Sequence, residues 1–595
     1  MISRLLPIYI VLAFGLILSP HAACAQDSKA PLTFEEQVDL SPLNNLAVQN
    51  QGRLKSFGSH ANSLMDVVSG PRGINGQSAS YTYLDMLFRP DAYKDADCVY
   101  VKNKLVRTAI SKVVIDLDPS LEGRMASFRA TGLTSPEILD RPEVTVLLED
   151  FASDLIRTAK QVDAIRSARF VMSQQFLLAR LRIIPPAGED EDAAWFGVED
   201  VMLLDNGDID PAILAAMPMQ APIEGLDPEM QKTFAGQWRG LVNGWDRRDP
   251  VAVNAAIVSL GSIAPQLNSE LYPDQGRLVW ENWYFEKDQM TRVWLIYLLS
   301  IIFLLLAIVY RWKWALWVGL AIFIAAFGFQ TFSVGLRWWI SGRWPNSNMF
   351  EAVTTASWFG VLLAFILELG WFRKTAFRGV ITLGAATTAM VALMVANFLP
   401  VYLNPNISNM MPVLHDVWLY IHTNVIIFSY AIIFMAAVTS FLYLAYRVCG
   451  GKAVYARAGG AGALVISGPN GHTLADLDDS EPVDEKSRAR RRDRFGEVLD
   501  GSTMILMELS VVMLFAGIVM GAIWADHSWG RPWGWDPKEV FALNTFIIFA
   551  LLIHVRLKAK DKGMWTAILA VVGAGVMLFN WIVINFVISG LHSYA

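Results

Sequence analysis

The amino-acid sequence predicts an all-α polytopic membrane protein, with a signal peptide, a mostly helical extracytoplasmic domain and eight transmembrane helices. Three observations predict it. Of the 595 residues, 54% are hydrophobic and 17% are charged, against roughly 25% charged in an ordinary soluble domain. From Val293 onward apolar runs recur, each close to the ~20 residues that a hydrocarbon core requires. Basic residues cluster in alternate loops between those runs, as the positive-inside rule demands. The formal net charge of −6 and the lack of a basic motif exclude nucleic acid as a partner.

Residues 1–25 carry Arg4, an apolar run from Leu5 to Leu18 and the sequence Ala23-Cys24-Ala25. That pattern is a secretory signal peptide with cleavage before Gln26. An uncleaved anchor predicts the same topology, with the following residues outside. Residues 26–290 hold amphipathic helical patterns, such as the stretch 138–184, and no long apolar run. They form the extracytoplasmic domain. His60 is its one histidine, and a lone histidine is more often structural than a ligand. Trp280, Trp283 and Tyr284 approach the first span as an interface anchor. Of the three cysteines, Cys24 lies in the signal, Cys449 follows a span and Cys98 stands alone. No CxxC redox pair is available.

The membrane domain, 291–595, has spans at about 293–310, 315–336, 350–370, 379–399, 417–446, 502–524, 538–557 and 565–588. With residue 290 outside, the loops after spans one, three, five and seven face the cytoplasm. They carry Arg311 and Lys313; Arg373, Lys374 and Arg378; the run Arg488 to Arg494; and Arg556, Lys558, Lys560 and Lys562. The outer loops carry chiefly Arg337, Arg343, Arg531 and Lys538. Signal peptide and loop charges thus predict one orientation independently. Residues 447–500 are Gly/Ala-rich, then acidic, then basic, and read as a partly disordered cytoplasmic linker containing His472.

The stretch 524–539, WADHSWGRPWGWDPKE, joins spans six and seven. Trp524, Trp529, Trp533 and Trp535 alternate with Gly530, Pro532, Gly534 and Pro537. It reads as an irregular aromatic loop at the membrane surface or in a cavity. Two readings compete: a belt of interfacial indoles, or a stacking platform for a flat ligand.

Topology sorts the histidines. His422 lies near the outer start of span five, with His415 just before it, and His592 follows the outer end of span eight. Two imidazoles and an aromatic loop therefore share one side of the membrane, a set that suits both axial positions of a haem iron. The competing reading makes both histidines polar helix caps at a wet interface. His554 lies near the inner end of span seven, sixteen residues past Lys538, or ~24 Å of helix. Glu508 of span six is a candidate partner for it; alternatively Glu508 reaches the inner surface.

These residues resemble a known family. WGRPWGWDPKE is similar to the tryptophan-rich "WWD" signature of haem-handling proteins in cytochrome c maturation. Within that group the chain most resembles the CcsA (ResC) type of System II. Supporting motifs are RWWISGRWPNSNMFEA (337–352), YIHTNVIIFSYA (420–431), IHVRLK (553–558) and SGLHSYA (589–595). The resemblance covers about 290–595.

The resemblance implies that haem b, as transported substrate, crosses the bacterial inner membrane and is joined by two thioether bonds to a reduced CxxCH motif on apocytochrome c. It implies a place in a holocytochrome c synthase complex with a ResB/CcsB-like membrane protein and a thiol-reducing thioredoxin-like protein. His422 and His592 match the outer axial ligands, and His554 matches an inner haem site. Trp524, Trp529, Trp533, Trp535 and Asp536 match the haem-binding loop, and Asp536 joins the two histidines at the reaction centre. Asp536, Lys538 and Glu539 are expected to fix the loop or meet haem propionates rather than act as acid and base. The chain lacks a ResB-like multi-span region before residue 290, so a separate partner is expected. The alternatives are a System I haem-handling protein of CcmC or CcmF type, and a haem exporter or scaffold without synthase chemistry.

Overall fold

The computed structural model describes residues 33–584, except 51, 71–72, 75, 155–156, 203, 205–221, 311, 369–378, 401–402, 408, 410–415 and 456–484; of residues 485–494 and 557 it describes the backbone alone. The expected signal peptide, His415, His472 and His592 lie outside the described residues. Among those described, helix dominates, with three two-stranded sheets.

The chain divides into two compact units. The first comprises 1–43, 73–179 and 197–267. Its core is built around Asp85, a buried carboxylate that accepts hydrogen bonds from Trp245 Nε1 at 2.8 Å, an Arg248 nitrogen at 3.0 Å and the Tyr93 hydroxyl at 3.1 Å. Such charge-assisted bonds satisfy a group that burial alone would penalise. Cys98 is buried there, and burial pushes its thiol up to about 12. It therefore carries almost no thiolate at neutral pH.

The second unit comprises 44–72, 180–196 and 268–595. It joins the membrane helices to a hairpin, Ala47–Asn50 with Arg53–Ser56, and to the helices Phe57–Ser69 and Gln275–Glu286. Arg53 and Glu281 form a buried ion pair at 2.7 Å, and Arg53 also donates to the Ile407 carbonyl at 3.3 Å.

All eight expected spans are helices. Span one is Trp294–Tyr310, two Lys313–Ser341, three Met349–Ile366, four Val380–Phe398, five Val417–Val448, six Glu485–Trp529, seven Pro537–Lys558 and eight Lys562–Phe579, continued by a wider turn through Ile584. Span six begins at Glu485, so residues 485–500 are helical rather than part of a linker. A ninth helix, Pro250–Leu267, is also long and apolar enough to cross a membrane, although the sequence analysis found no such run before residue 290. It belongs to the first unit, packs on Pro228–Asp246, and its Asn254 side chain bonds the backbone of Gln37 and Asp39 at 2.9 Å each. Its apolar surface is cut by Asn254, Ser259, Ser262 and Gln266.

Inside the bundle several buried polar groups satisfy one another, as hydrocarbon favours. The Tyr297 hydroxyl donates to Gln330 at 2.7 Å, and Gln330 donates to Ser357 Oγ at 2.8 Å, linking spans one, two and three. At the opposite end from the Trp loop, Arg556 grips Asp500 with two bonds of 2.8 and 2.6 Å, and Arg447 meets Asp561 at 2.8 Å. Arg556 is thus paired with span six rather than left in solvent.

Candidate functional site

The site grows from the crossing of spans five and six. Their sequences run antiparallel, with Ile426 facing Gly517 and His422 facing Gly521. His422 Nδ1 lies 2.7 Å from the Gly517 carbonyl oxygen. The residues next along span five are held from the other side. Asn346 donates to Thr423 Oγ1 at 3.0 Å, and Trp344 Nε1 donates to Asn424 Oδ1 at 2.8 Å.

Trp344 and Asn346 belong to the turn between spans two and three, which a buried ion cluster closes. Glu351 is fully buried, Arg337 is 2% exposed and Arg343 is half-buried. Glu351 accepts from Arg337 at 3.0 and 2.8 Å, from Arg343 at 2.9 Å and from the Ser347 amide at 2.7 Å. Arg337 also donates to the Pro405 carbonyl at 2.8 Å. Two basic residues expected in outer loops are therefore committed to a carboxylate. The motif RWWISGRWPNSNMFEA owes its Arg and Glu to this cluster, and its Trp344 and Asn346 to the grip beside His422.

Span six continues beyond Gly521 into the tryptophans. Trp524 and Trp529 are helical rather than looped, because no breaker occurs before Gly530, which ends the helix at φ 68° with its amide bonded to the Asp526 carbonyl at 2.8 Å. Trp524 is buried and packs edge-to-face on Trp529, centroids 4.8 Å apart. His527, on the same last turn, is exposed.

The irregular loop is therefore only 530–536. Trp533 and Trp535 stand edge to face at 6.0 Å. Trp535 is 75% exposed and lies at φ +56°, in the left-handed region. That conformation costs a non-glycine residue roughly 1–2 kcal/mol. The loop is held by the start of span seven: Glu539 Oε2 accepts from the amides of Gly534 at 2.9 Å and Asp536 at 3.1 Å, while Asp536 accepts from the Lys538 amide at 3.1 Å. This is a capping box with Pro537 in the first turn. Asp536 is thus buried as the cap that aims Trp535.

His554 lies apart from this cluster, on the exposed face of span seven, its Nδ1 2.8 Å from the Ala550 carbonyl. Glu508 is exposed on the stripe of span six that includes Val512, Phe515 and Val519. The expected pairing does not form; no ion pair joins the two among the described residues. The Arg556–Asp500 pair explains why. His554 is two residues from it and Glu508 eight, a difference of roughly 9 Å along the axes. His592 lies outside the described residues, and among those described no cluster of three or more His, Cys, Asp or Glu could hold a metal ion. Gly517, Gly521, Trp344 and Asn346 carry no chemistry of their own that singles them out in the sequence. The four-residue spacing of the glycines in GIVMG was the readable signal.

A model of the family described as "Cytochrome C assembly protein" matches residues 346–592. The chain is similar to the cytochrome c biogenesis protein CcsA of Parasynechococcus marenigrum (strain WH8102), with 31% identity over 259 residues, 44% of this chain and 80% of the relative. It is similar to that of Porphyra purpurea at 31% over 268 residues, 43% of this chain and 81% of the relative. With the CcsA of Prochlorococcus marinus (strain NATL2A) it shares 30% over 273 residues, 45% and 81%. The stretch that the family model matches holds spans three to eight, His422, both glycines and the whole Trp loop, and the chain belongs to the CcsA family of cytochrome c biogenesis proteins.

Proposed function

We propose that this chain is the haem-handling component of a System II cytochrome c synthase, which carries haem b across the bacterial cytoplasmic membrane and presents it to apocytochrome c. The observation that carries the reading is Trp535, an exposed indole in an unfavourable backbone conformation, set by the buried cap of span seven in the loop that leaves span six, the helix whose Gly517 and Gly521 lie against His422. Water gives no reason to hold a large apolar ring this way; a planar ligand stacked on it does. Membership of a family named for cytochrome c biogenesis supports haem as that ligand.

In this reading haem is substrate. Trp535 stacks on the ring, Trp533 meets it edge-on, and His422 and His592 hold its iron. Asp536 contributes by fixing the loop. Each cysteine thiol of CxxCH then adds across one vinyl C=C: sulfur bonds the inner carbon, and the thiol hydrogen ends on the outer one. The addition consumes no electrons. Positioning is therefore the main demand on the protein, and the step needs no dedicated acid–base pair. His554 forms an inner haem site with a ResB/CcsB-like partner, and a thioredoxin-like protein keeps the client thiols reduced.

The test is covalent haem attachment. In cells lacking their own maturation system, the chain is co-expressed with the ResB-like protein and a CxxCH reporter. A haem-stained reporter band that survives denaturation is expected, and it disappears in His422→Ala. A full-length protein that reaches the membrane and yields no covalent haem contradicts the synthase reading.

A further inference from the structure

His422 is seated by two glycines of span six. Its Nδ1 lies 2.7 Å from the Gly517 carbonyl oxygen. A carbonyl oxygen only accepts, so in the neutral ring the hydrogen is on Nδ1 and the lone pair is on Nε2. A Cβ on Gly521 would stand 2.6 Å from His422 Cε1, 2.8 Å from Nδ1 and 3.2 Å from Nε2. A Cβ on Gly517 would stand 2.5 Å from Ile426 Cδ1 and 2.8 Å from its Cγ1. Glycines four residues apart share one helix face, and here they receive two side chains that are themselves four apart on span five.

Small residues let membrane helices approach closely, but closeness alone does not explain this pair. The approach brings a backbone carbonyl within reach of one nitrogen of a polar ring, and the missing Cβ at Gly521 is the space the ring fills. We propose that Gly517 and Gly521 are positioning residues that seat His422 as its Nδ1–H tautomer and so present Nε2 to the iron of a haem. The proposal rests on His422 being a haem ligand. A ligand imidazole whose other nitrogen donates to a carbonyl is fixed in orientation and made more basic. The same helix reaches Trp524 three residues after Gly521 and Trp529 eight after it. One rigid element thus sets both the ligand and the first indoles.

Gly573 of span eight supplies a packing control, because a Cβ there would stand 2.7 Å from the Phe549 ring. The full chain, co-expressed with its ResB-like partner and purified in detergent, is titrated with haemin as wild type, Gly521→Ala, Gly573→Ala and His422→Ala. Gly521→Ala is expected to weaken haem affinity about 10- to 100-fold, the usual effect of losing a ligand's supporting partner, and to alter the ferrous absorption bands. Gly573→Ala is expected to keep both. Equal losses in the two glycine variants overturn the proposal, since they mark packing alone. Wild-type binding in Gly521→Ala, with binding lost in His422→Ala, also overturns it while sparing the ligand reading. Unchanged binding in His422→Ala removes the ligand reading, and the proposal with it. Should Gly521→Ala fail to accumulate, ¹⁵N NMR of histidine-labelled wild type without haem decides. The resonances lost in His422→Ala must be those of an Nδ1–H ring, and an Nε2–H ring overturns the proposal.

Discussion

Replacing Glu351 by Gln tests the ion cluster that holds the turn beside His422. Glu351 is fully buried, and it accepts two bonds from Arg337, two from Arg343 and one from the Ser347 amide. The glutamine is isosteric, but it leaves Arg337, 2% exposed, as a buried cation without a counterion. Removing one partner from a buried pair costs about 3–5 kcal/mol. Arg343 is nearer the surface and recovers part of its loss from water. Replacing Arg337 and Glu351 together by Leu removes both charges, and such apolar replacements are often close to neutral. The double variant also forfeits the Arg337 bond to the Pro405 carbonyl, worth ~1–2 kcal/mol. The expected order of stability in a detergent-to-SDS unfolding titration is wild type, then the double variant, then Glu351→Gln. Haem retention should fall with stability, because Trp344 and Asn346 grip Asn424 and Thr423 from this turn. The reasoning is refuted if Glu351→Gln lies within ~1 kcal/mol of wild type, or if the double variant is no more stable than the single.

Three further outcomes follow from the same structure. Trp535→Gly relieves the left-handed strain and is expected to raise stability by roughly 1 kcal/mol while haem retention falls; a gain or no change in haem binding would remove Trp535 from the site. Asp536→Ala should cost about 1 kcal/mol through the lost cap, whereas Asp536→Asn keeps most of it; unfolding titrations separate the two. His60 is fully buried, and burial, with Lys55 and Arg180 nearby, lowers it from 6.5 to about 3. The unfolded chain therefore takes up a proton below pH 6.5 that the fold refuses, so stability falls as pH drops from 6.5 towards 3. At pH 5 this group's share of the loss is ~2 kcal/mol, and His60→Asn should remove that share from the pH slope; an unchanged slope in the variant contradicts this.

The spans were legible because hydrocarbon admits only long, nearly uncharged helices, and each had its ~20 apolar residues. Where the sequence misled, a local signal had been weighed against the wrong competitor. The crowding of tryptophans drew the loop's start back to Trp524, but helices end at breakers, and the first is Gly530. The basic run before span six looked like solvated linker, yet nothing in 485–500 stops a helix. Pro250–Leu267 was overlooked because its short, Ala-rich apolar run is broken by polar residues. The sequence offers Glu508 as a partner for His554, but the register is set by Asp500 and Arg556, whose bond only packing reveals. The grip of Gly517 on His422 joins residues ninety-five apart, and a single sequence carries no direct sign of such a pairing.

The most direct test of the central claim is the absorption spectrum of the full chain purified in detergent with its ResB-like partner, for wild type and for His422→Ala. A Soret band with the sharp ferrous bands of a bis-imidazole haem is expected in wild type, weakened or shifted in His422→Ala. Wild type without haem, or an identical spectrum in the variant, would contradict the assignment of His422 and the Trp loop as a haem site.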